Sequence, residues 1–177
     1  MATITRNSQT ESQVKQDKAD RIMNGVNVWA AFYRANPHRF ARDYLNLKLD
    51  RFQQIILCMM FRFSNVVYLA SRGGGKSFLI AIFCVIHCIL YPETRICLAS
   101  KTRKQATEII DKIREILMPR SANLRLEIEE VQVNQANAFV SFRNDSRIVV
   151  VTAADSARHN RATVLVNPFA RVCRNAH

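Results

Sequence analysis

Lys76 and Ser77 directly follow three consecutive glycines, Gly73, Gly74 and Gly75. An ammonium and a hydroxyl side by side at the end of a glycine turn suit one chemistry well, the holding of a polyphosphate and its magnesium ion. The glycines let backbone N–H groups point inward where side chains would obstruct them. A helix starting at the lysine adds further N–H groups and the positive end of its dipole. On this reading Ser71, Arg72, Gly73, Gly74, Gly75, Lys76 and Ser77 hold the phosphates of ATP. Lys76 reaches the β- and γ-phosphates, and the Ser77 hydroxyl ligates Mg²⁺. The pattern G-x-x-x-x-G-K-[ST] is met except at its first glycine, where Ala70 stands, and Arg72 puts a second cation inside the loop. The competing reading, a chance glycine turn beside a basic residue, does not account for the elements on either side.

Those elements are a strand and a helix. The apolar run Val66–Ala70 reads as a strand entering the loop, and Phe78–Leu90 as a buried helix leaving it, ended by Pro92. Arg95–Ala99 reads as a second buried strand. Ser100 or Thr102 caps a helix over Arg103–Met118, whose Ala106, Ile109, Ile110, Ile113, Ile116 and Leu117 recur at helical spacing. Glu108 and Lys112 form an i,i+4 pair on the opposite face. Strand, helix, strand, helix predicts an α/β fold, P-loop NTPase-like, with a mainly parallel sheet flanked by helices.

Upstream, residues 1–20 are polar without apolar periodicity and are expected to be a disordered arm. Val26–Tyr33 and Pro37–Leu47 read as short helices, the second capped by Asn36 with Pro37 at its first position. Trp29, Phe32, Tyr33, Phe40 and Tyr44 are expected to pack in a core. A further helix spans Ile55–Phe63. Gln53, or failing it Gln54, lies just upstream of the P-loop strand, where an amide that both donates and accepts can read adenine. A solvated glutamine at a helix start is the competing reading. Downstream, Leu124–Glu129 alternates like a half-exposed strand. Phe139–Arg143 and Arg147–Thr152 flank Asn144-Asp145-Ser146 as an inserted β-hairpin. A loop over Ala153–Asn160 carries Arg158 and His159, and Ala162–Val166 reads as one more strand.

The 177 residues are enough for one domain with a real core. A net charge of +12 points to a polyanion partner such as nucleic acid, or to a basic surface alone. Cys58, Cys84, Cys88 and Cys97 lie in apolar runs and read as core residues of a reducing compartment. Cys84, His87 and Cys88 lack a second ligand pair for zinc. The polar start is no signal peptide, and Phe78–Leu90 is shorter than the ~20 residues that span a bilayer. A soluble, intracellular protein without membrane contact is expected.

Four stretches, in order, carry a family likeness. They are Phe40-Ala41-Arg42-Asp43-Tyr44-Leu45 with Phe52-Gln53; Ser71 to Ser77; Leu98-Ala99-Ser100-Lys101-Thr102 with Gln105-Ala106; and Ser156 to Thr163. Together they resemble the N-terminal ATPase region of the large subunit of a tailed-bacteriophage terminase, the motor that packages double-stranded DNA. The resemblance covers about residues 36–166. It implies ATP and Mg²⁺ as cofactors, Lys76 and Arg72 as catalytic groups, and Arg158 or Arg161 as a trans-acting or sensing arginine. Surface solvation or contact with DNA phosphates competes for those last two. The implied partners are DNA, the portal, the small terminase subunit and other copies of the chain, in the cytoplasm of the infected bacterial host.

The likeness breaks after Val166. The family's strand there ends in Asp-Glu, the Asp holding Mg²⁺ and the Glu polarising the attacking water. Here Asn167 and Pro168 stand in those positions, and no acidic residue follows Asp155. The family continues into further strands and a nuclease domain. One of those later strands lies between the P-loop strand and the Asp-Glu strand, so the resemblance predicts a gap in this sheet. The expectation is an incomplete domain: arm 1–20, partial ATPase domain 21–166 and aberrant or disordered tail 167–177. A truncated or frameshifted product would bind nucleotide and hydrolyse it poorly. The alternatives are a non-enzymatic basic nucleic-acid-binding remnant and another, helicase-like P-loop ATPase.

Overall fold

The computed structural model of the protein describes residues 4–70, 74–100, 103–134, 138–152, 162–167 and 171–174. The chain divides into two compact units, Met1–Ala35 and Asn36–His177.

The first unit is one helix, α1, over Ile4–Ala35. The disordered arm and separate short helix expected from the sequence are here a single element. Gln, Lys, Arg and Ala recur and favour the helix, and Gly25 is the one glycine in it. Its aromatic residues do not form a core. Trp29 and Phe32 are exposed and meet the Tyr33 ring edge-on at centroid distances of 5.0 and 5.1 Å.

The second unit opens with α2, Pro37–Asp43. Pro37 takes the first position, where a missing N–H costs nothing. The Asn36 carbonyl, and not its side chain, receives the Arg39 and Phe40 amides, at 3.0 and 3.3 Å. Helix α3, Arg51–Arg62, follows, with Gln53 Oε1 accepting the Asp50 N–H at 3.0 Å as in a capping box. Strand β1 is Asn65–Val67 and helix α4 is Lys76–Leu90. Helix α4 is apolar on every side and buried on every side from Leu79 to Cys88. Phe83 lies at its centre, with Phe61 at 5.1 Å and the buried His87 at 5.5 Å, centroid to centroid. Cys84 and Cys88 are fully buried, and burial pushes both thiols far above their usual range. Among the described residues, no cluster of three His, Cys, Asp or Glu could hold a metal ion, and no helix is long and apolar enough to cross a membrane.

Strand β2, Arg95–Ser100, leads to helix α5, Arg103–Lys112. A wider π-helical turn, Ile113–Leu117, then precedes the short α6, Met118–Arg120. The turn widens just before Pro119, which has no N–H to offer the Glu115 carbonyl. Residues 124–127, on the sequence reading the start of a strand over Leu124–Glu129, belong instead to helix α7, Ala122–Glu127. The reason is local: Ser121 Oγ accepts the Leu124 N–H at 3.2 Å and caps a turn that buries Leu124. The remaining strands are β3 (Ile128–Val133), β4 (Ala138–Phe142), β5 (Arg147–Thr152), β6 (Val164–Asn167) and β7 (Arg171–Arg174).

The seven strands among the described residues join one sheet in the order β1-β7-β6-β2-β5-β4-β3. The sheet is mixed, not mainly parallel as expected. Strand β2 is parallel to both β5 and β6, while the pairs β1–β7, β7–β6, β5–β4 and β4–β3 are antiparallel. The β4–β5 hairpin lies where the turn residues predicted it. Strand β7 is the unexpected element. Within the stretch expected to be a structureless tail, residues 171–174 run between β1 and β6, in the slot expected to be empty. Unpaired backbone groups on two facing strand edges are costly, and an antiparallel return from β6 satisfies both.

The turn of the β4–β5 hairpin also fixes the far end of α4. Asn144 Nδ2 donates to the Cys88 carbonyl at 2.7 Å. The buried Ser146 hydroxyl donates to the Tyr91 carbonyl at 3.0 Å and accepts the Thr94 N–H at 3.1 Å. Replacing Ser146 by Ala leaves both groups unsatisfied, so Ser146→Ala is expected to lower stability by about 1–3 kcal/mol. Urea unfolding measures this, and an unchanged midpoint would contradict the network.

Candidate functional site

Strand directions decide where chemistry can gather. Strand β1 is antiparallel to β7 and β7 antiparallel to β6, so β1 and β6 run the same way, as do β6 and β2. The chain therefore leaves β1, β2 and β6 at one edge of the sheet, the edge where open α/β sheets form their crevices. Val67, Arg171 and Asn167 are in register across β1, β7 and β6. The end of β6 is thus two ladder spacings, about 10 Å, from the last residue of β1.

At this edge the start of α4 borders a cavity of about 450 Å³ lined by Gly74, Gly75, Lys76, Ser77 and Phe78, with Glu108 and Lys112 from α5. The Lys76 ammonium donates to the Ala70 carbonyl, and the Tyr68 hydroxyl to the Gly74 carbonyl at 3.4 Å. Both bonds tie the strand side of the loop to its helix side. Gly75 caps α4 with φ +69°, a left-handed conformation that side chains resist. Its nearest neighbour is Gln53, whose Nε2 lies 3.5 Å from where a Cβ would stand. Gln53 therefore faces the glycine loop with its donor while its oxygen caps α3. Gln54 turns away and donates to the Leu49 carbonyl at 2.8 Å.

Among the residues singled out by sequence, the structure thus brings together Gln53, Gly74, Gly75, Lys76 and Ser77. Ser71, Arg72, Gly73, Arg158, Arg161 and Pro168 lie outside the described residues. Asn167 is the last residue of β6. Glu108 and Lys112 are the residues sequence reasoning missed, having read them as a solvent-facing pair. The signal was present in the wheel. Lys112 stands at the flank of the apolar stripe of Ala106, Ile109, Ile110 and Ile113, Glu108 lies farther round on the exposed side, and α5 packs on α4.

A second cavity, about 530 Å³, lies along α2 and α3 between His38, Arg51, Gln54, Ile55, Cys58, Met59 and Arg62. His38 Nδ1 is 3.1 Å from Cys58 Sγ. Burial, then Arg39 and Arg42, lower the His38 pKa, while burial raises that of Cys58, partly offset by a hydrogen bond with the His38 backbone. Both groups are held toward their neutral forms, so the pair is not an activated thiolate.

The loop geometry has a direct consequence. Gly75→Ala forces a side chain into the left-handed region, and a loss of about 1–2 kcal/mol is expected. Chemical denaturation checks it, and a variant as stable as the parent would show that residue 75 has another backbone conformation.

Gly74 to Ser77, Glu108 and Lys112 fall inside the span of a known family. The family described as terminase large subunit, T4likevirus-type, N-terminal, matches residues 67–164, more than half of the chain. No curated protein matches it. The matched span runs from the last residue of β1 through the glycine loop, α4, β2 and α5 to the first residue of β6, and the chain belongs to the T4-like-virus type of terminase large subunit, of which it carries the N-terminal region.

Proposed function

We propose that this chain binds ATP with Mg²⁺ at the Gly74–Ser77 loop, as the nucleotide-binding part of a phage DNA-packaging terminase, and that it hydrolyses ATP poorly. The observation that carries the reading is the cavity at the amino end of α4. It is lined by Gly74 and the left-handed Gly75 together with Lys76 and Ser77, which supply an ammonium and a hydroxyl. Loop and helix N–H groups would receive the phosphate oxygens, with Lys76 countering their charge. Arg72 would add a second cation there. The Ser77 hydroxyl would be one ligand of Mg²⁺, which supplies charge neutralisation between the phosphates. Gln53 would meet the nucleotide through Nε2, the group it leaves free of its capping bond.

The weak hydrolysis follows from Asn167. It occupies the end of β6, where the resemblance implies a carboxylate, and a neutral amide attracts a cation less strongly. Pro168 has no group that could accept a proton from water. The net charge of +12 supports double-stranded DNA as the polyanion partner, with affinity falling steeply as salt rises. The portal, the small subunit and further copies of the chain are the protein partners the family membership suggests. Arg158 or Arg161 would serve such a copy or the DNA.

Calorimetric titration with ATP and Mg²⁺ tests the reading. Binding that weakens more than about tenfold in Lys76→Ala, with phosphate release at the blank level, is expected. Absence of ATP binding would refute the proposal. Rapid Mg²⁺-dependent turnover that Lys76→Ala abolishes would refute the role given to Asn167.

A further inference from the structure

The carboxylate and ammonium that α5 brings to the cavity have no part in the P-loop motif. Lys112 Nζ lies 3.2 Å from Glu108 Oε1, one helical turn away. Lys112 is the more sheltered of the two, its side chain 28% exposed against 54% for Glu108. Both line the same cavity as Gly74, Gly75, Lys76 and Ser77. They reach it because Ala106, Ile109, Ile110 and Ile113 are fully buried and fix the rotation of α5 against the core. An i,i+4 pair on an open helix face contributes only a few tenths of a kcal/mol, so a stronger counter-ion can break it.

Resting on the nucleotide-binding reading above, we propose that Lys112 is a further polyphosphate-binding cation of this site, supplied from outside the glycine loop, and that Glu108 holds it in place until phosphate arrives. A bound triphosphate carries several negative charges into the cavity, and Lys112 exchanges one carboxylate for them. Glu108 then faces the same anion with no partner, so it weakens binding. The two members of one ion pair therefore have opposite effects on affinity. A merely structural salt bridge gives no such split, because removing either end loses the same interaction.

The experiment titrates ATP, and separately inorganic tripolyphosphate, into the parent, Lys76→Ala, Lys112→Ala and Glu108→Gln proteins. Ala and Gln are good helix formers at these positions, and thermal unfolding establishes that each variant is folded. Lys112→Ala is expected to weaken both ligands about fivefold, and Glu108→Gln to tighten both about twofold. Tripolyphosphate responding like ATP locates the effect on the phosphates and not on the base. Parent-like affinity in Lys112→Ala, or weaker binding in Glu108→Gln, overturns the proposal while binding that depends on Lys76 leaves the site itself standing. A parent that binds neither ligand overturns both.

Discussion

Strand β1 is held in the sheet through a single described neighbour, β7. Its three residues pair with Arg171, Val172 and Cys173 and with no other described strand. A three-residue strand has little stability of its own. Yet β1 is the element that delivers the chain to the glycine loop, and its level relative to β6 is set by the Val67–Arg171–Asn167 register. The position of the glycine loop over the sheet thus depends on a ladder made by four residues beyond the matched family span.

The helix side of the loop is fixed by a different force. Helix α4 buries nearly every side chain it has, against β2 and β5 on one side and α2, α3 and α5 on the other. Each such side chain contributes on the order of 1.5–3 kcal/mol. Its far end is tied by Asn144 and Ser146 to the hairpin turn, so neither rotation nor sliding is free. The loop is therefore suspended between a deeply anchored helix and a lightly anchored strand. Two bonds, from Lys76 to the Ala70 carbonyl and from Tyr68 to the Gly74 carbonyl, span that gap.

Much of this was legible in the sequence wherever one local rule governed the outcome. The glycine turn with Lys76 and Ser77, the all-apolar α4 and the Asn144–Ser146 turn each carry their own signal. The misreadings arose where two rules competed. Leu124–Glu129 alternates like a strand, but Ser121 supplies a helix cap that wins for residues 122–127. Residues 167–177 carry no helical or strand pattern strong enough to read alone. Strand β7 arises from the unsatisfied edges of β1 and β6, a non-local demand no window of sequence contains. An i,i+4 ion pair suggests solvent by type, whereas Lys112 sits at the flank of the apolar stripe and lines the cavity at the start of α4 together with Glu108. Gln53 was legible as a residue near the loop, but its capping bond to Asp50 was not weighed.

The dependence of the proposed nucleotide site on β7 is most directly measured with Val172→Pro, which removes a backbone donor from the strand between β1 and β6. Amide hydrogen exchange and ATP titration would be read on the same variant. Faster exchange at residues 65–67, retained protection in β2 and β5, and at least a tenfold loss of ATP affinity are the expected results. Protected β1 amides with parental ATP affinity would contradict the claim that β7 holds the loop's strand in the sheet.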